Sequence, residues 1–163
     1  MSTAAASEPV GAEELFVRSL SYNEPVVRAL EAELQQEYVR RYGGLDQTPI
    51  DEGEFDPPAG LFLVGFVGSE PVASGGFRRH SDGVAEIKRM YVTEDHRGIG
   101  LARRMLAELE SRAAQAGYAR AVLMTGLAQP EAIALYQSSG YAAIEPFGIY
   151  KKSELVRCFG KDL

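Results

Sequence analysis

Glu86-Ile-Lys-Arg-Met-Tyr-Val92 has the alternation of a strand, Thr93 to His96 form a loop, and Arg97-Gly-Ile-Gly-Leu-Ala102 opens a helix. A helix entered through Gly98 and Gly100 presents free backbone N–H groups and the positive end of its dipole, which suits a pyrophosphate. The glycines lack side chains and let phosphate oxygens approach the backbone, and Arg97 and Arg103 can add charge-assisted hydrogen bonds. Spacing excludes two familiar phosphate loops. A Walker loop needs Lys and then Ser or Thr directly after its second glycine, and Gly100 is followed by Leu101. A dinucleotide fingerprint needs a third glycine where Arg103 stands, and it belongs to a βαβ unit.

Working outward, the chain before this stretch reads as a meander. The apolar run Leu61–Val67, the turn Gly68-Ser-Glu-Pro71, the strand Val72–Arg79, the turn Ser81-Asp-Gly83 and the strand Val84–Val92 give three antiparallel strands. Upstream, Leu15–Leu20 reads as a strand. Asn23 or Ser21 is expected to cap a helix over Pro25–Tyr42, which Gly43-Gly44 ends. Downstream, Ile99, Ala102, Met105, Leu106, Leu109 and Ala113 fall on one helix face over Ile99–Ala116, closed by Gly117. Arg120–Met124 is a strand, Pro130 opens a helix that Gly140 closes, and Tyr141–Phe147 and Leu155–Phe159 read as two more strands. The fold class is therefore α/β (α+β): a mixed, mostly antiparallel seven-stranded sheet flanked by helices.

Arg97-x-x-Gly100-x-Ala102 after Met90-Tyr-Val92 closely resembles the coenzyme A loop of the GNAT acetyltransferase superfamily. Ala132-x-x-Leu135-Tyr136-x-x-x-Gly140-Tyr141 resembles that superfamily's second conserved helix. Together with the element order, the resemblance covers most of the chain from Leu15 onward. It implies a sheet that splays at the coenzyme strand. It also implies acetyl-CoA as cosubstrate: the backbone of Met90, Tyr91 and Val92 would hold the pantetheine arm and acetyl carbonyl, and Arg97, Gly98, Ile99, Gly100, Leu101, Ala102 and Arg103 would hold the pyrophosphate. Tyr136 matches the tyrosine that protonates the departing thiolate in many members, and Glu86 a carboxylate that accepts the amine proton in some. Gln129 replaces an asparagine common before the second helix, and Glu94 replaces a proline. The implied reaction is direct attack of a primary amine on the thioester, most simply the amine of a small molecule. The rival readings are a protein or peptide acceptor and an acyl-CoA sensor without catalysis. Similar proteins often pair through their last strands, so a homodimer is a further expectation.

Composition narrows the setting. The 163 residues, 45% hydrophobic and 25% charged, suit one ordinary globular domain, here 12–163, preceded by a Ser/Ala-rich flexible tail over 1–11 without the features of a secretory leader. The net charge of −6 argues against nucleic-acid partners. Between Glu86 and Arg104, however, five basic residues face three acidic ones, which fits a small anion. The longest apolar run, Leu61–Val67, is far short of the roughly 20 residues that cross a bilayer, so no membrane partner is expected. The single cysteine, Cys158, reads as a packed hydrophobe and forms no metal-ligand spacing with His80 or His96. No metal and a cytoplasmic location follow as expectations. The loop from Gly43 to Gly60 carries Asp46, Asp51, Glu52, Glu54 and Asp56 without one Lys or Arg, a hint of a cationic acceptor. Phe147-Gly-Ile-Tyr150 stands where family members line the acceptor pocket.

Overall fold

The computed structural model describes residues 14–163, so the expected tail over 1–11 lies outside the described residues. Its strands are β1 (Leu15–Ser19), β2 (Leu61–Val67), β3 (Glu70–Ser81), β4 (Val84–Val92), β5 (Arg120–Gly126), β6 (Ala142–Ala143) and β7 (Val156–Asp162). The helices are α1 (Pro25–Tyr42), α2 (Leu101–Gln115) and α3 (Pro130–Ser138). One seven-stranded sheet runs in the order β1-β2-β3-β4-β5-β7-β6, antiparallel except where β4 meets β5.

Alternation along the strands divides the apolar side chains between two faces. Leu63, Phe77, Ile87 and Leu123 pack under the α2 stripe of Leu101, Met105, Leu106, Leu109 and Ala113, with Tyr136 of α3 and Phe159 in the same cluster. Phe62, Val64 and Tyr91 point to the opposite face and pack with Val27, Leu30 and Leu34 of α1 and with Tyr22 and Phe55.

Three sequence expectations are corrected. Neither Asn23 nor Ser21 caps α1; Glu24 holds the N-cap position without a side-chain cap bond, and Pro25, which needs no N–H partner, begins the helix. Helix α2 starts at Leu101 rather than Ile99, because Gly98 and Gly100 adopt left-handed backbone with φ 79° and 88°; Ile99 is left in the loop, 39% exposed. Of the strand expected over Tyr141–Phe147, only Ala142–Ala143 pairs with β7. One more bond, Ile144 N–H to the Cys158 carbonyl at 3.0 Å, continues the ladder before Pro146, which has no N–H to offer.

The sheet opens in the middle. Strands β4 and β5 pair in parallel over Val84↔Arg120 to Ile87↔Leu123 and then part. Past that point β5 stays on β7 (Met124↔Cys158, Thr125↔Arg157) and β4 stays on β3 (Tyr91↔Ser74, Val92↔Ala73). The parting coincides with a bulge: the register slips between Lys88↔Gly76 and Tyr91↔Ser74, and Arg89 takes φ 61°, the one described non-glycine residue in left-handed backbone. That conformation costs about 1–2 kcal/mol. The buried Arg89 guanidinium offsets it with an ion pair to Asp46 and another from Nε to Glu31 at 3.3 Å. Among the described residues no helix is long and apolar enough to cross a membrane.

Leu109 is fully buried where α2 lies on the sheet. Leu109→Ala is expected to lower unfolding stability by about 2–5 kcal/mol in chemical denaturation. A loss below about 1 kcal/mol would show that this face does not hold the sheet.

Candidate active site

Two neighbouring cavities lie along β4 where it parts from β5. The first, about 500 Å³, runs under the α2 entry loop and is lined by Met90, Tyr91, Val92, Gly98, Gly100 and Tyr136, among others. The second, about 300 Å³, lies toward α1 and is lined by Tyr38, Tyr42, Lys88, Thr125 and Tyr150 together with apolar Leu45, Met124 and Leu155. Gln129, at the N-cap of α3, lines both, and its Oε1 accepts from the Tyr42 hydroxyl at 3.0 Å. Gly126 makes room for Tyr42: a Cβ there would fall 2.3 Å from the phenol oxygen.

In the first cavity the α2 entry is rich in free donors. Its first backbone bond is Arg104 N–H to the Gly100 carbonyl at 3.1 Å, so the N–H groups from Gly98 to Ala102 are claimed by no backbone acceptor. Beyond Ile87 the β4 edge facing the cleft has no strand partner either. Arg97 is already engaged: its Nε donates to the Val92 carbonyl at 3.0 Å and its guanidinium pairs with Glu37 at 2.9 and 3.2 Å. Glu37, buried on α1, also pairs with Arg41 at 3.4 Å. Arg41 in turn donates to the Ala128 carbonyl at 2.7 Å and pairs with Glu131. Glu37 thus ties α1 to the α2 entry loop, and Arg41 beside it ties α1 to the loop before α3. Arg103 donates to the hydroxyls of Ser138 and Ser139 at 2.8 and 3.1 Å, joining α2 to the end of α3.

Tyr136 is buried against Tyr141 and Phe159, and burial pushes its hydroxyl up to about 12. The phenol therefore keeps its proton throughout the working range of pH. Tyr141 does not compete for the same place, because its hydroxyl donates to Glu110 at 2.8 Å.

In the second cavity, Lys88 is almost fully buried and desolvation lowers its pKa, with Glu86 and Asp46 opposing the shift. Glu86 is buried behind it, accepting from Arg78 Nε at 3.0 Å and lying 3.6 Å from Lys88 Nζ. Burial alone would raise the Asp46 carboxyl, but the Thr48 N–H and the Arg89 guanidinium hold it below the usual carboxylate range. The Tyr150 hydroxyl accepts from the Gln47 N–H at 2.7 Å, fastening the far wall.

Known proteins share this architecture. The family model described as "Acetyltransferase (GNAT) family" matches residues 27–141, most of the chain. A Klebsiella pneumoniae structure assigned as an acyl-CoA N-acyltransferase superposes with a TM-score of 0.75 at 30% identity, covering 91% of this chain and 97% of that one. The chain belongs to the acetyltransferase (GNAT) family. An IAA acetyltransferase of Azospirillum brasilense is 43% identical over 68 residues, 42% of this chain and 44% of that protein, so the match spans less than half of that relative. The PaiA N-acetyltransferase of Thermoplasma acidophilum, solved in complex with coenzyme A, has a TM-score of 0.70 at 15% identity, covering 91% of this chain and 99% of that one, and shares the fold.

Of the residues expected from the sequence to serve this GNAT chain, Met90, Tyr91, Val92, Arg97, Gly98, Gly100, Leu101, Ala102, Arg103, Gln129 and Tyr136 all line the first cavity. Ile99 does not, and Glu86 lines neither cavity. Cys158 is buried and free. The acidic loop is largely neutralised within the fold: Glu54 pairs with Arg78, Glu52 with Arg28 and Asp46 with Arg89.

Two further residues were missed. Glu37 falls in the same helical stripe as Leu30 and Leu34, and a carboxylate at a core position is a signal of a buried partner. Lys88 shares a strand face with Glu86 in a strand flanked on both sides, a pattern that buries both charges together.

Gly98 needs its left-handed backbone, and no atom lies within 4 Å of where its Cβ would be. Gly98→Ala therefore strains the loop without a clash, and is expected to weaken coenzyme A binding roughly tenfold by calorimetry, from a left-handed penalty of about 1–2 kcal/mol. Unchanged affinity would show that this loop does not hold the coenzyme.

Proposed function

We propose that the protein transfers the acetyl group of acetyl-CoA to the primary amine of a small molecule by direct attack of the amine on the thioester. The observation that carries this reading is that two neighbouring cavities along β4, past the point where β4 and β5 part, share Gln129 as a lining residue. One cavity offers backbone donors and the other a partly enclosed, mixed polar and apolar chamber. The acyl-CoA N-acyltransferase and N-acetyltransferase names of the relatives support an amine acceptor.

The residues of the first cavity fit the coenzyme. Its phosphates carry negative charge that the free N–H groups at the start of α2 suit, and the unpaired β4 edge at Met90 to Val92 suits the amides of the pantetheine arm. When bound, acetyl-CoA supplies an activated acyl group on a thiol leaving group.

The chain's own part is positioning and charge stabilisation. A backbone N–H on the open β4 edge donates to the acyl oxygen as negative charge develops there. Tyr136 donates its O–H toward the departing sulfur. An ordinary thiol has a pKa of about 8.5, and the Tyr136 hydroxyl is raised to about 12. Full proton transfer to the thiolate is therefore uphill, and the phenol acts chiefly as a hydrogen-bond donor. The amine must shed a proton to attack. Glu86, the acceptor of that proton in the sequence reading, reaches the cavity only by way of Lys88, so its part in this proposal is to anchor Lys88 and Arg78. The proton then leaves to solvent through the cavity mouth beside Leu45 and Leu155, both more than half exposed.

The test is release of free thiol from acetyl-CoA with a panel of small amines and short peptides. Turnover with small amines is expected. Turnover with peptides alone would move the acceptor to the protein class, and none with any amine would overturn the proposal. Tyr136→Phe is expected to lower kcat about ten- to a hundredfold while coenzyme A binding by calorimetry persists. Because Tyr136 stays protonated, the wild-type rate is expected to show no alkaline loss from this group up to pH 10.

A further inference from the structure

The second cavity is bordered by two polar groups whose hydrogen-bonding capacity the described residues leave unused. The Lys88 side chain is only 7% exposed, and among the described residues its Nζ has an ion pair with Glu86 and no hydrogen bond. The neighbouring Glu86 oxygen lies 3.6 Å away, too far for one, and the other oxygen of that carboxylate already accepts from Arg78. Thr125 lines the same cavity, and its Oγ1 is buried without a hydrogen-bond partner among the described residues. A desolvated ammonium and an unpaired hydroxyl are both costly to bury, and an anion between them would recover that cost. The fold supplies only Glu86, at ion-pair distance from Lys88 and shared with Arg78, since Asp46 is taken up by Arg89 and the Thr48 N–H, and Glu54 by Arg78. The rest of the wall is mixed: apolar Leu45, Met124, Leu155 and Val156 stand beside Tyr38, Tyr42, Tyr150 and Ser153, and the Asp46 and Arg89 that line it are paired with each other.

We infer that the acceptor is an amine that also carries a carboxylate, the carboxylate binding Lys88 Nζ and the Thr125 hydroxyl while the amine is directed toward Gln129, the residue both cavities share. With Arg89 and Asp46 paired to each other, the Lys88 ammonium and the Thr125 hydroxyl match a singly charged carboxylate, and the apolar stretch with the tyrosine rings matches a hydrophobic body, so apolar amino acids are the class that fits. This replaces the cationic acceptor hinted at by the acidic loop, whose charges are largely spent within the fold. The inference rests on the acetyl-transfer reading.

The test compares an apolar amino acid with its carboxamide, phenylalanine with phenylalaninamide, as acceptors for the wild type. The acid is expected to have a kcat/KM about 10- to 100-fold higher, the range for one charge-assisted hydrogen bond. Lys88→Met is expected to collapse that ratio toward one, and Lys88→Arg to restore part of it. Calorimetric titration of N-acetylphenylalanine and its amide reads the same preference without turnover. Equal binding and equal turnover of acid and amide would overturn the inference and leave acetyl transfer standing. Acid-selective binding lost in Lys88→Met, with turnover of no amine, would keep the site and overturn the transfer reading. If Lys88→Met does not fold, the wild-type comparison of acid with amide decides alone.

Discussion

Everything functional here depends on two strands that start together and do not finish together. After Ile87 and Leu123, β4 and β5 each keep one neighbour and lose the other. Backbone N–H and C=O groups along the vacated edges are then available to something other than a strand. The parting falls at a bulge in β4, and the residue that turns there is Arg89. Its left-handed backbone is unfavourable alone and is retained because the buried guanidinium is ion-paired to Asp46, on the segment that follows α1. The loop after the first helix thus holds the cleft open, and its acidic character belongs to architecture before it belongs to recognition.

The fold was legible in the sequence wherever the signal was periodic or punctuated. The limits of α1, β2 and β4 coincide with the apolar runs and the glycines that bound them. The entry to α2 was misplaced by two residues because Ile99 carries on the apolar spacing of the helix. A period cannot show that the glycines on either side of it have turned the backbone left-handed. The strand expected from Tyr141 shrank to two residues for a related reason: hydrophobicity continues past Ala143, but a proline without an N–H ends pairing whatever its neighbours favour.

The site was legible in part. The α2 entry loop and Tyr136 are motif residues, and they line one cavity. The charged groups that organise the cleft were not readable in the same way, because their meaning is set by partners far off in the chain. Arg97 reads locally as a phosphate ligand, yet it is clamped to Glu37, 60 positions earlier. Glu86 reads as a proton acceptor, and its environment is decided by Arg78 from the adjoining strand and by Lys88 beside it. Long-range pairing of buried charge is what a single sequence least reveals.

The shared wall at Gln129 has a thermodynamic consequence. One amide borders both cavities and is held by the hydroxyl of Tyr42, so neither cavity can be filled without altering the surroundings of the other's wall. Two ligands in such an arrangement are linked: whatever the first does to the affinity of the second, the second must do to the first by the same factor. Any coupling between the occupants of the two cavities has its shortest route through this one side chain, without any movement of domains.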